Sequence, residues 1–239
     1  MCGRFVLDRK TSDLVALFEV DVTGAVLPEP SWNIAPTQQV RVVIDSLPKG
    51  DEVVEPVRRL ESARWGLVPG FAKDPSGPPL FNARSETVAE KPAFETALRS
   101  RRAVVPASGY YEWVEVNGTK TPHYVSLPGD ELFLFAGLYD WWRNPAATTP
   151  EERWLLSTTI LTRPSSGPLT DIHERMPVFL EADLVEEWLD PLAEGSAELV
   201  GITVDNAEKV AERAEFYAVG DSVGSVQNNG AGLLAADAR

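Results

Sequence analysis

The sequence predicts an α+β protein whose mixed or antiparallel β-sheets form a barrel-like core, closed or nearly closed, with flanking helices. The 239 residues are 44% hydrophobic and include seven Trp and nine Phe, which is enough apolar surface for a sizeable core. Short β-branched and aromatic runs dominate the chain, and few segments show helical spacing. Because no repeat, low-complexity tract or clear domain boundary interrupts this pattern, we expect residues 1–239 to form a single domain.

Strands are predicted where an apolar run is bounded by turn residues. The seven runs are residues 40–44, 53–57, 103–106, 110–116, 123–127, 132–138 and 154–159. Asn117-Gly118 lies between two of them and is a strong hairpin signal. Loops rich in Pro, Gly, Ser or Thr are expected at residues 73–79, 143–152 and 163–170.

Four segments have the spacing of amphipathic helices. They are residues 11–18, 91–99, 182–188 and 206–215. In the first, Leu14, Leu17 and Phe18 make one apolar face, and Thr11 or Ser12 is the expected cap. These helices complete the expected α+β pattern.

Charge is distributed unevenly along the chain. The net charge is −14, which at first sight argues against nucleic acid as a partner. Residues 171–239 hold 15 acidic and 4 basic side chains, whereas residues 1–170 hold 21 and 18. The acidic segments have helical spacing and are expected to be solvated helix faces, so the total charge does not decide the partner.

The chain has one cysteine, so it has no internal disulfide. Its first ten residues lack the apolar stretch of a signal peptide, and no apolar run approaches the ~20 residues of a membrane-spanning helix. We therefore expect a soluble, cytoplasmic protein in a reducing compartment, with no membrane partner.

Cys2 is the most informative residue, because removal of Met1 would leave an α-amine and a thiol on adjacent carbons. With an aldehyde, the amine forms a Schiff base and the thiol closes a five-membered thiazolidine on the same carbon. The amine titrates near ~8 and the thiol near ~8.5 in model compounds, so both nucleophiles are accessible near neutral pH. An incidental second-position cysteine is the alternative.

Three further segments carry candidate polar groups. His173 follows a Pro- and Ser-rich loop and could move protons, although a hydrogen-bonded structural histidine is the alternative; His123 is expected to be structural. Glu112 lies in an aromatic strand, where its carboxylate would face either an ammonium group or solvent. Asn82 and Arg84 precede a predicted helix and could bind a sugar hydroxyl and a phosphate, or serve helix entry.

Taken together, seven segments resemble the SRAP family, the SOS response-associated peptidases. They occur in the family's order across nearly the whole chain, with Cys at position 2. The segments are Met1-Cys-Gly-Arg-Phe, Trp32-Asn-Ile-Ala-Pro, Arg64-Trp-Gly-Leu-Val-Pro-Gly, Phe81-Asn-Ala-Arg-Ser-Glu-Thr, Ser108-Gly-Tyr-Tyr-Glu-Trp, Asp171-Ile-His-Glu-Arg-Met-Pro and Val223-Gly-Ser-Val-Gln-Asn-Asn-Gly.

The resemblance implies an SRAP-like fold with a groove for single-stranded DNA that ends at the amino terminus. It implies that Cys2 crosslinks to the aldehyde of an abasic site as a thiazolidine, and that Cys2 also removes Met1 autocatalytically. Asn82 and Glu112 would orient the terminus and the opened sugar, and His173 would shuttle protons. The implied DNA contacts are Arg4, Asn33, Ala35, Pro36, Phe71, Arg84 and Arg175.

The same resemblance implies a monomer that needs no cofactor or metal, meets the replication machinery and associates with the nucleoid. The wide separation of Cys2 and the two histidines also argues against a zinc site. Phe71-Ala72 stands where relatives carry bulky Trp residues, and Gln227 stands where a relative has Lys. Both departures bear on DNA affinity more than on chemistry.

Two other functions remain open at this point. One is an N-terminal-nucleophile cysteine peptidase or amidase that acts on other peptides. The other is a non-enzymatic module that binds single strands, in which Cys2 is merely structural. Crosslinking to an abasic oligonucleotide would distinguish both from lesion capture.

Overall fold

The computed structural model describes residues 2–48, 55–116 and 118–237. Within these ranges the chain forms β-strands and a smaller set of α-helices. The strands are β1 (Phe5–Leu7), β2 (Val22–Thr23), β3 (Ser31–Ile34), β4 (Gln39–Ser46), β5 (Val57–Trp65), β6 (Asn82–Arg84), β7 (Arg102–Ala107), β8 (Gly109–Val116), β9 (Thr119–Ser126), β10 (Phe133–Arg143), β11 (Trp154–Pro164), β12 (Arg175–Pro177) and β13 (Glu215–Ala218). The helices are α1 (Thr11–Leu17), α2 (Pro92–Ser100), α3 (Val185–Leu189) and α4 (Ala197–Ala211).

Five strands close into a barrel. Antiparallel pairs join β11, β10, β7, β4 and β5 in that order, and a parallel pair between β5 and β11 closes the ring. Ser157 of β11 lies beside Arg64, and Thr158 lies beside Trp65. The predicted α+β class with a barrel-like core is therefore confirmed.

A second antiparallel sheet, in the order β13-β9-β8-β1-β3, packs against the barrel. Aromatic rings join the two sheets: Phe5 of β1 meets Trp65 edge to face with ring centroids 5.0 Å apart, and Tyr110 of β8 meets Phe135 at 6.0 Å. Such pairs add to the free energy gained from burying the rings. This packing fixes β1, and hence the residues just before it, against the barrel.

The sequence placed most long elements correctly, but three predictions need correction. The helix expected at residues 206–215 is α4, which begins at Ala197 because the Ser196 hydroxyl accepts the Leu199 N–H. The helix ends at Ala211, and Glu215, the last residue of the predicted helix, instead begins β13, which pairs with β9 at the sheet edge. Helix α1 begins after Lys10 with no side-chain cap, so the cap expected at Thr11 or Ser12 is wrong.

Several predicted boundaries changed. The run predicted at residues 182–188 begins as a 3-10 turn and becomes helical at Val185. Strand β11 runs on into the loop predicted at residues 163–170. Of the run at residues 53–57, residues 53 and 54 lie outside the described residues, and among the other three only Val57 is in a strand, as the first residue of β5. Asn117 also lies outside them, but β8 and β9 on either side pair in hairpin register.

Candidate active site

Cys2 lies three residues before β1, which is an inner strand of the second sheet between β8 and β3. Strand β1 pairs with β8 through Phe5 and Tyr110, and the Tyr111 N–H donates to the Arg4 carbonyl oxygen at 2.9 Å. The Asn82 side-chain amide donates to the Cys2 carbonyl oxygen at 2.8 Å. Cys2 is fully buried. The fold therefore joins the amino-terminal segment to β6 through a direct side-chain contact.

Strand β11 brings Asn82 and His173 to the same region. Strand β6 runs parallel to β11 with Asn82 beside Ile160, and β12 pairs with the end of β11 through Arg175 and Pro164. His173 lies two residues before β12, and its Nδ1 accepts the Arg175 N–H at 2.9 Å. A neutral ring bonded in this way carries its proton on Nε2, which makes Nε2 the donor.

Burial shifts the ionisation of the groups around Cys2. Burial raises the pKa of the Cys2 thiol well above its usual range, and the negative charge of Glu112 raises it further. Burial also raises the pKa of Glu112, which is 5% exposed, while the electrostatic interaction with His173 acts in the opposite direction. Cys2, Glu112 and His173 are thus coupled electrostatically in a desolvated site.

Asn82 has one satisfied and one unsatisfied polar atom. Its amide nitrogen is bonded to Cys2, whereas its Oδ1 atom is buried with no hydrogen-bond partner among the described residues. A buried acceptor without a partner costs free energy, so an unpaired one in a native fold calls for an explanation. A bound hydroxyl or amine would satisfy it.

Tyr110 belongs to this site although the sequence did not single it out. It is fully buried, and burial together with the charges of Cys2 and Glu112 raises its pKa well above the usual range. Tyr110 and Glu112 are two residues apart in β8, so their side chains point to the same face. This spacing is the sequence signal that could have identified Tyr110 as a neighbour of Glu112. Within the described residues, no group of three or more His, Cys, Asp or Glu side chains is placed to hold a metal ion.

The three arginines expected at phosphates differ in what they bind. Arg84 is exposed at the end of β6 and makes no side-chain hydrogen bond or ion pair with another described residue. The Arg4 guanidinium instead donates to Asn33 Oδ1 at 2.8 Å and to the Val223 carbonyl oxygen at 2.7 Å. Arg175 is paired with Glu86 and lowers the pKa of that carboxyl to about 2. Of these three arginines, only Arg84 has a guanidinium group without a partner among the described residues.

Asn33 differs from the expectation that it lines the groove. It is buried, and its amide nitrogen donates to the carbonyl oxygens of Val223, Ser225 and Asn228 at 3.3, 2.9 and 2.8 Å. The amide nitrogen of Asn33 therefore fastens the C-terminal loop to β3, and its Oδ1 is occupied by Arg4. Gln227, in the same loop, is exposed.

The remaining expected DNA contacts lie on turns beside the barrel. Ala35 is buried and Pro36 is partly exposed in a turn fixed by the Thr37 N–H, which donates to the Trp65 carbonyl oxygen at 2.7 Å. Trp65 Nε1 donates in turn to the Phe81 carbonyl oxygen at 2.9 Å, next to Asn82. Phe71 is 68% exposed on a loop that the Trp142 indole anchors at the Ala72 carbonyl oxygen.

No helix among the described residues is long and apolar enough to cross a membrane.

Comparisons with known proteins identify the family of this chain. The sequence model of the SOS response associated peptidase (SRAP) family matches residues 1–226. The abasic site processing protein YoqW of Bacillus subtilis (strain 168) is 37% identical over 240 residues, which cover 98% of this chain and 99% of YoqW. The abasic site processing protein YedK of Escherichia coli (strain K12) is 30% identical over 241 residues, which cover 98% of this chain and 99% of YedK.

The fold is also similar to solved structures. An X-ray structure of a Bacteroides thetaiotaomicron protein has a TM-score of 0.78 and 20% identity, and the match covers 99% of this chain and 100% of that one. One from Bordetella bronchiseptica has a TM-score of 0.70 and 23% identity, with 92% and 100% covered. These likenesses concern the fold, whereas the family match spans the segments that carry Cys2, Asn82, Glu112 and His173. The chain belongs to the SRAP family.

Proposed function

We propose that the protein processes abasic sites in DNA by capturing the aldehyde of the ring-opened sugar, in single-stranded DNA, as a thiazolidine on Cys2. The relatives named abasic site processing proteins support the substrate class. The observation that carries the chemistry is the meeting of Cys2, Asn82, Glu112 and His173 in one desolvated site. The product stays covalently attached and shields the lesion.

The reaction needs two nucleophiles on adjacent carbons. Once Met1 is removed, the Cys2 amine adds to the aldehyde carbon and the carbinolamine loses water to give a Schiff base. The thiol then adds to the same carbon, its proton ends on the ring nitrogen, and the five-membered thiazolidine closes. One water leaves for each adduct, and no oxidant or cofactor is required.

The site favours the amine as the first nucleophile. Because burial and Glu112 raise the pKa of the Cys2 thiol, it stays protonated at neutral pH. The thiolate must therefore form late, when the imine is ready to accept the sulfur. His173 supplies the proton for loss of water from Nε2, and its contact with Arg175 fixes that tautomer. Glu112 takes a proton from the attacking nucleophile, since burial makes its carboxylate more basic.

Asn82 positions the reacting groups. Its amide nitrogen holds the Cys2 carbonyl oxygen, and its buried Oδ1 accepts a hydrogen bond from the opened sugar or from the new amine. Arg84 lies two residues further along β6 and contacts a phosphate beside the lesion, while Phe71 stacks on a flanking base.

Autocatalytic removal of Met1 is the second part of the proposal, with Cys2 attacking the peptide bond that precedes it and Glu112, Asn82 or His173 assisting. The full burial of Cys2 disfavours a general peptidase, because other peptides would have to reach the thiol, whereas the bond to Met1 adjoins it in the chain. The polar site around Cys2 likewise disfavours a module in which this cysteine is merely structural.

Mass spectrometry tests the proposal directly. The purified protein is mixed with a single-stranded oligonucleotide that contains one abasic site, and its intact mass is measured under denaturing conditions. We expect a protein without Met1 that gains the mass of the oligonucleotide minus one water. The matched controls are the same oligonucleotide with an intact base and the Cys2→Ser protein, neither of which should form a stable adduct. A stable adduct with Cys2→Ser would contradict the proposal, and turnover of unrelated peptides would favour the peptidase.

A further inference from the structure

A groove of about 750 Å³ opens at the other end of the barrel, where α1 and the 3-10 turn before α3 face the start of β10. Its apolar lining is formed by Leu14, Leu17, Phe18, Leu132, Leu134 and Val185. Leu14, Phe18 and Val185 are buried, whereas Leu17 is 59% exposed on the wall of the groove. An open groove with this lining offers apolar surface to a partner.

The rim of this groove is acidic. Besides Ala182, the rest of the lining consists of five carboxylates and two arginines, Arg9 and Arg58. The carboxylates belong to Asp13, Glu19, Asp130, Glu131 and Glu186. Arg58 is already bonded to Asp45 at 2.9 Å and to Glu186 at 2.7 Å, and its pKa is raised by these contacts.

The remaining rim charges are mostly negative and uncommitted. Arg9 donates to the Asp130 carbonyl oxygen, and Glu131 is paired with Arg213 outside the groove. Neither Asp13 nor Glu19 forms an ion pair with another described residue, and both are exposed. The groove therefore combines an apolar lining with a net negative rim.

Strands β1 and β5 run between the Cys2 site and the groove, so the two sites lie at opposite ends of these strands. The chain runs from Cys2 through β1 to Arg9 in the groove, seven residues on, which at ~3.3 Å per residue spans at most about 20 Å. Strand β5 begins next to Arg58 in the groove and ends at Trp65, which is bonded to Phe81 beside Asn82. A strand of DNA at the Cys2 site would thus leave the groove open.

We propose that this groove binds an amphipathic helix of a partner protein, with leucine-like side chains on one face and Lys or Arg beside them. The apolar lining takes the apolar face, and Asp13, Glu19 and Asp130 pair with the flanking cations. The negative rim repels nucleic acid and anionic ligands. It also disfavours a second copy of this chain, since each copy carries a net charge of −14.

The test uses a defined probe and the full-length protein. The probe is a synthetic helical peptide with Leu at positions i, i+3, i+4 and i+7 and Lys on the flanks, and its control has Glu in place of Lys. Titration calorimetry should show one Lys peptide bound per protein, with binding that weakens as salt rises. Leu17→Gln should weaken it about tenfold, while Leu192→Gln, at an exposed leucine outside the groove, should leave it unchanged.

Charge reversal sharpens the test. Asp13→Lys combined with Glu19→Lys should lower affinity for the Lys peptide and raise affinity for the Glu peptide. Crosslinking to abasic DNA should be unchanged in all these variants, so failure of the groove and failure of the Cys2 chemistry give different results. The proposal is overturned if the Lys peptide does not saturate, or if Leu17→Gln and Leu192→Gln act equally. If the protein forms a dimer that Leu17→Gln dissociates, the occupant of the groove is a second copy of the chain and the proposal is overturned. If a small apolar dye binds in the groove while the peptide does not, the occupant is a small apolar ligand and the proposal is likewise overturned.

Discussion

The two ends of the barrel place carboxylates in different surroundings. At the end that holds Cys2, the carboxylate of Glu112 is buried and its pKa is raised. At the opposite end, Asp13 and Glu19 are exposed beside an apolar groove. The histidines differ in a similar way. His173 is coupled electrostatically to Glu112, while His123 is bonded through Nδ1 to the Thr121 carbonyl oxygen at 3.1 Å and packs on Phe216.

The difference shows that environment, rather than residue type, assigns chemistry within this fold. A buried carboxylate pays a desolvation penalty unless a cation or donor compensates it, so its proton affinity responds to a nearby reaction. An exposed carboxylate acts instead through long-range attraction that salt screens. The variants below compare matched residues in the two environments.

The largest expected effect separates the two histidines. His173→Ala should slow formation of the DNA adduct by about 10²–10⁴-fold, because it removes the group that supplies protons during loss of water. Reversal of the adduct should slow as well. His123→Ala should change neither rate much, although His123 lies opposite Glu112 in the β8–β9 pair. Single-turnover kinetics on an abasic oligonucleotide measure the rates of adduct formation and reversal. If His123→Ala reacts slowly while His173→Ala reacts at the wild-type rate, His123 rather than His173 is the histidine that transfers protons.

The second prediction compares buried and exposed carboxylates. The native state holds a proton on Glu112 more tightly than the unfolded chain does, because burial raises its pKa. Glu112 therefore contributes to the free energy of unfolding at low pH. This contribution is lost as the pH rises from about 4.3, the ordinary pKa of a glutamate, through the raised pKa of the native state. Glu112→Gln should be more stable than wild type at neutral pH and should crosslink more slowly.

Glu19→Gln is the exposed control for that variant, and it should alter neither property. Urea unfolding between pH 4 and pH 8, alongside crosslinking rates, makes the comparison. A Glu112→Gln protein that loses stability at neutral pH would indicate that the carboxylate is stabilised by its contacts more than burial destabilises it.

The third prediction compares exposed apolar side chains at the two ends. Phe71→Ala should weaken binding of single-stranded DNA by about 5- to 150-fold, the range expected for loss of one base–aromatic stack. The salt dependence should stay nearly unchanged. The Leu17→Gln protein should bind the same single-stranded DNA as tightly as wild type does. Fluorescence anisotropy at several salt concentrations distinguishes the two, and equal binding by Phe71→Ala would remove this loop from the DNA path.

The smallest expected effect concerns two arginines whose loss changes net charge equally. Arg84→Ala should weaken DNA binding several-fold and reduce the slope of log affinity against log salt by about 0.7, the contribution of one phosphate on a single strand. Arg213→Ala should leave the slope unchanged, because Arg213 pairs with Glu131 at the groove end. If both variants act alike, total charge rather than the position of Arg84 governs binding.

The sequence predicted the elements whose signal is long and regular. The prediction was good for elements that have several apolar residues at the regular spacing of a strand or a helix. These are strands β8, β9, β10 and β11 and helix α2. Strands β1, β3, β6 and β12 have four residues or fewer, so periodicity cannot identify them. Barrel closure through β5 and β11 depends on a parallel contact between strands far apart in the chain, which only the tertiary fold specifies.

The site was predicted through resemblance and position more than through local pattern. Cys2 was informative because of its place in the chain, and the structure adds that Asn82 holds its carbonyl oxygen. Which arginines are available was not predictable, because Arg4 and Arg84 look alike in sequence. Arg4 is bonded to Asn33 and to a C-terminal loop more than two hundred residues away, and only the fold reveals those partners.

The state of the Cys2 thiol in the DNA adduct tests the central claim most directly. The adduct is formed, denatured, treated with iodoacetamide and digested, and the peptide that begins at Cys2 is sequenced by tandem mass spectrometry. A thiazolidine engages both the amine and the sulfur, so the account predicts an amino-terminal peptide that carries the sugar remnant and takes up no alkyl group. An adduct whose Cys2 sulfur is alkylated while the DNA remains attached, without any added reductant, would contradict it.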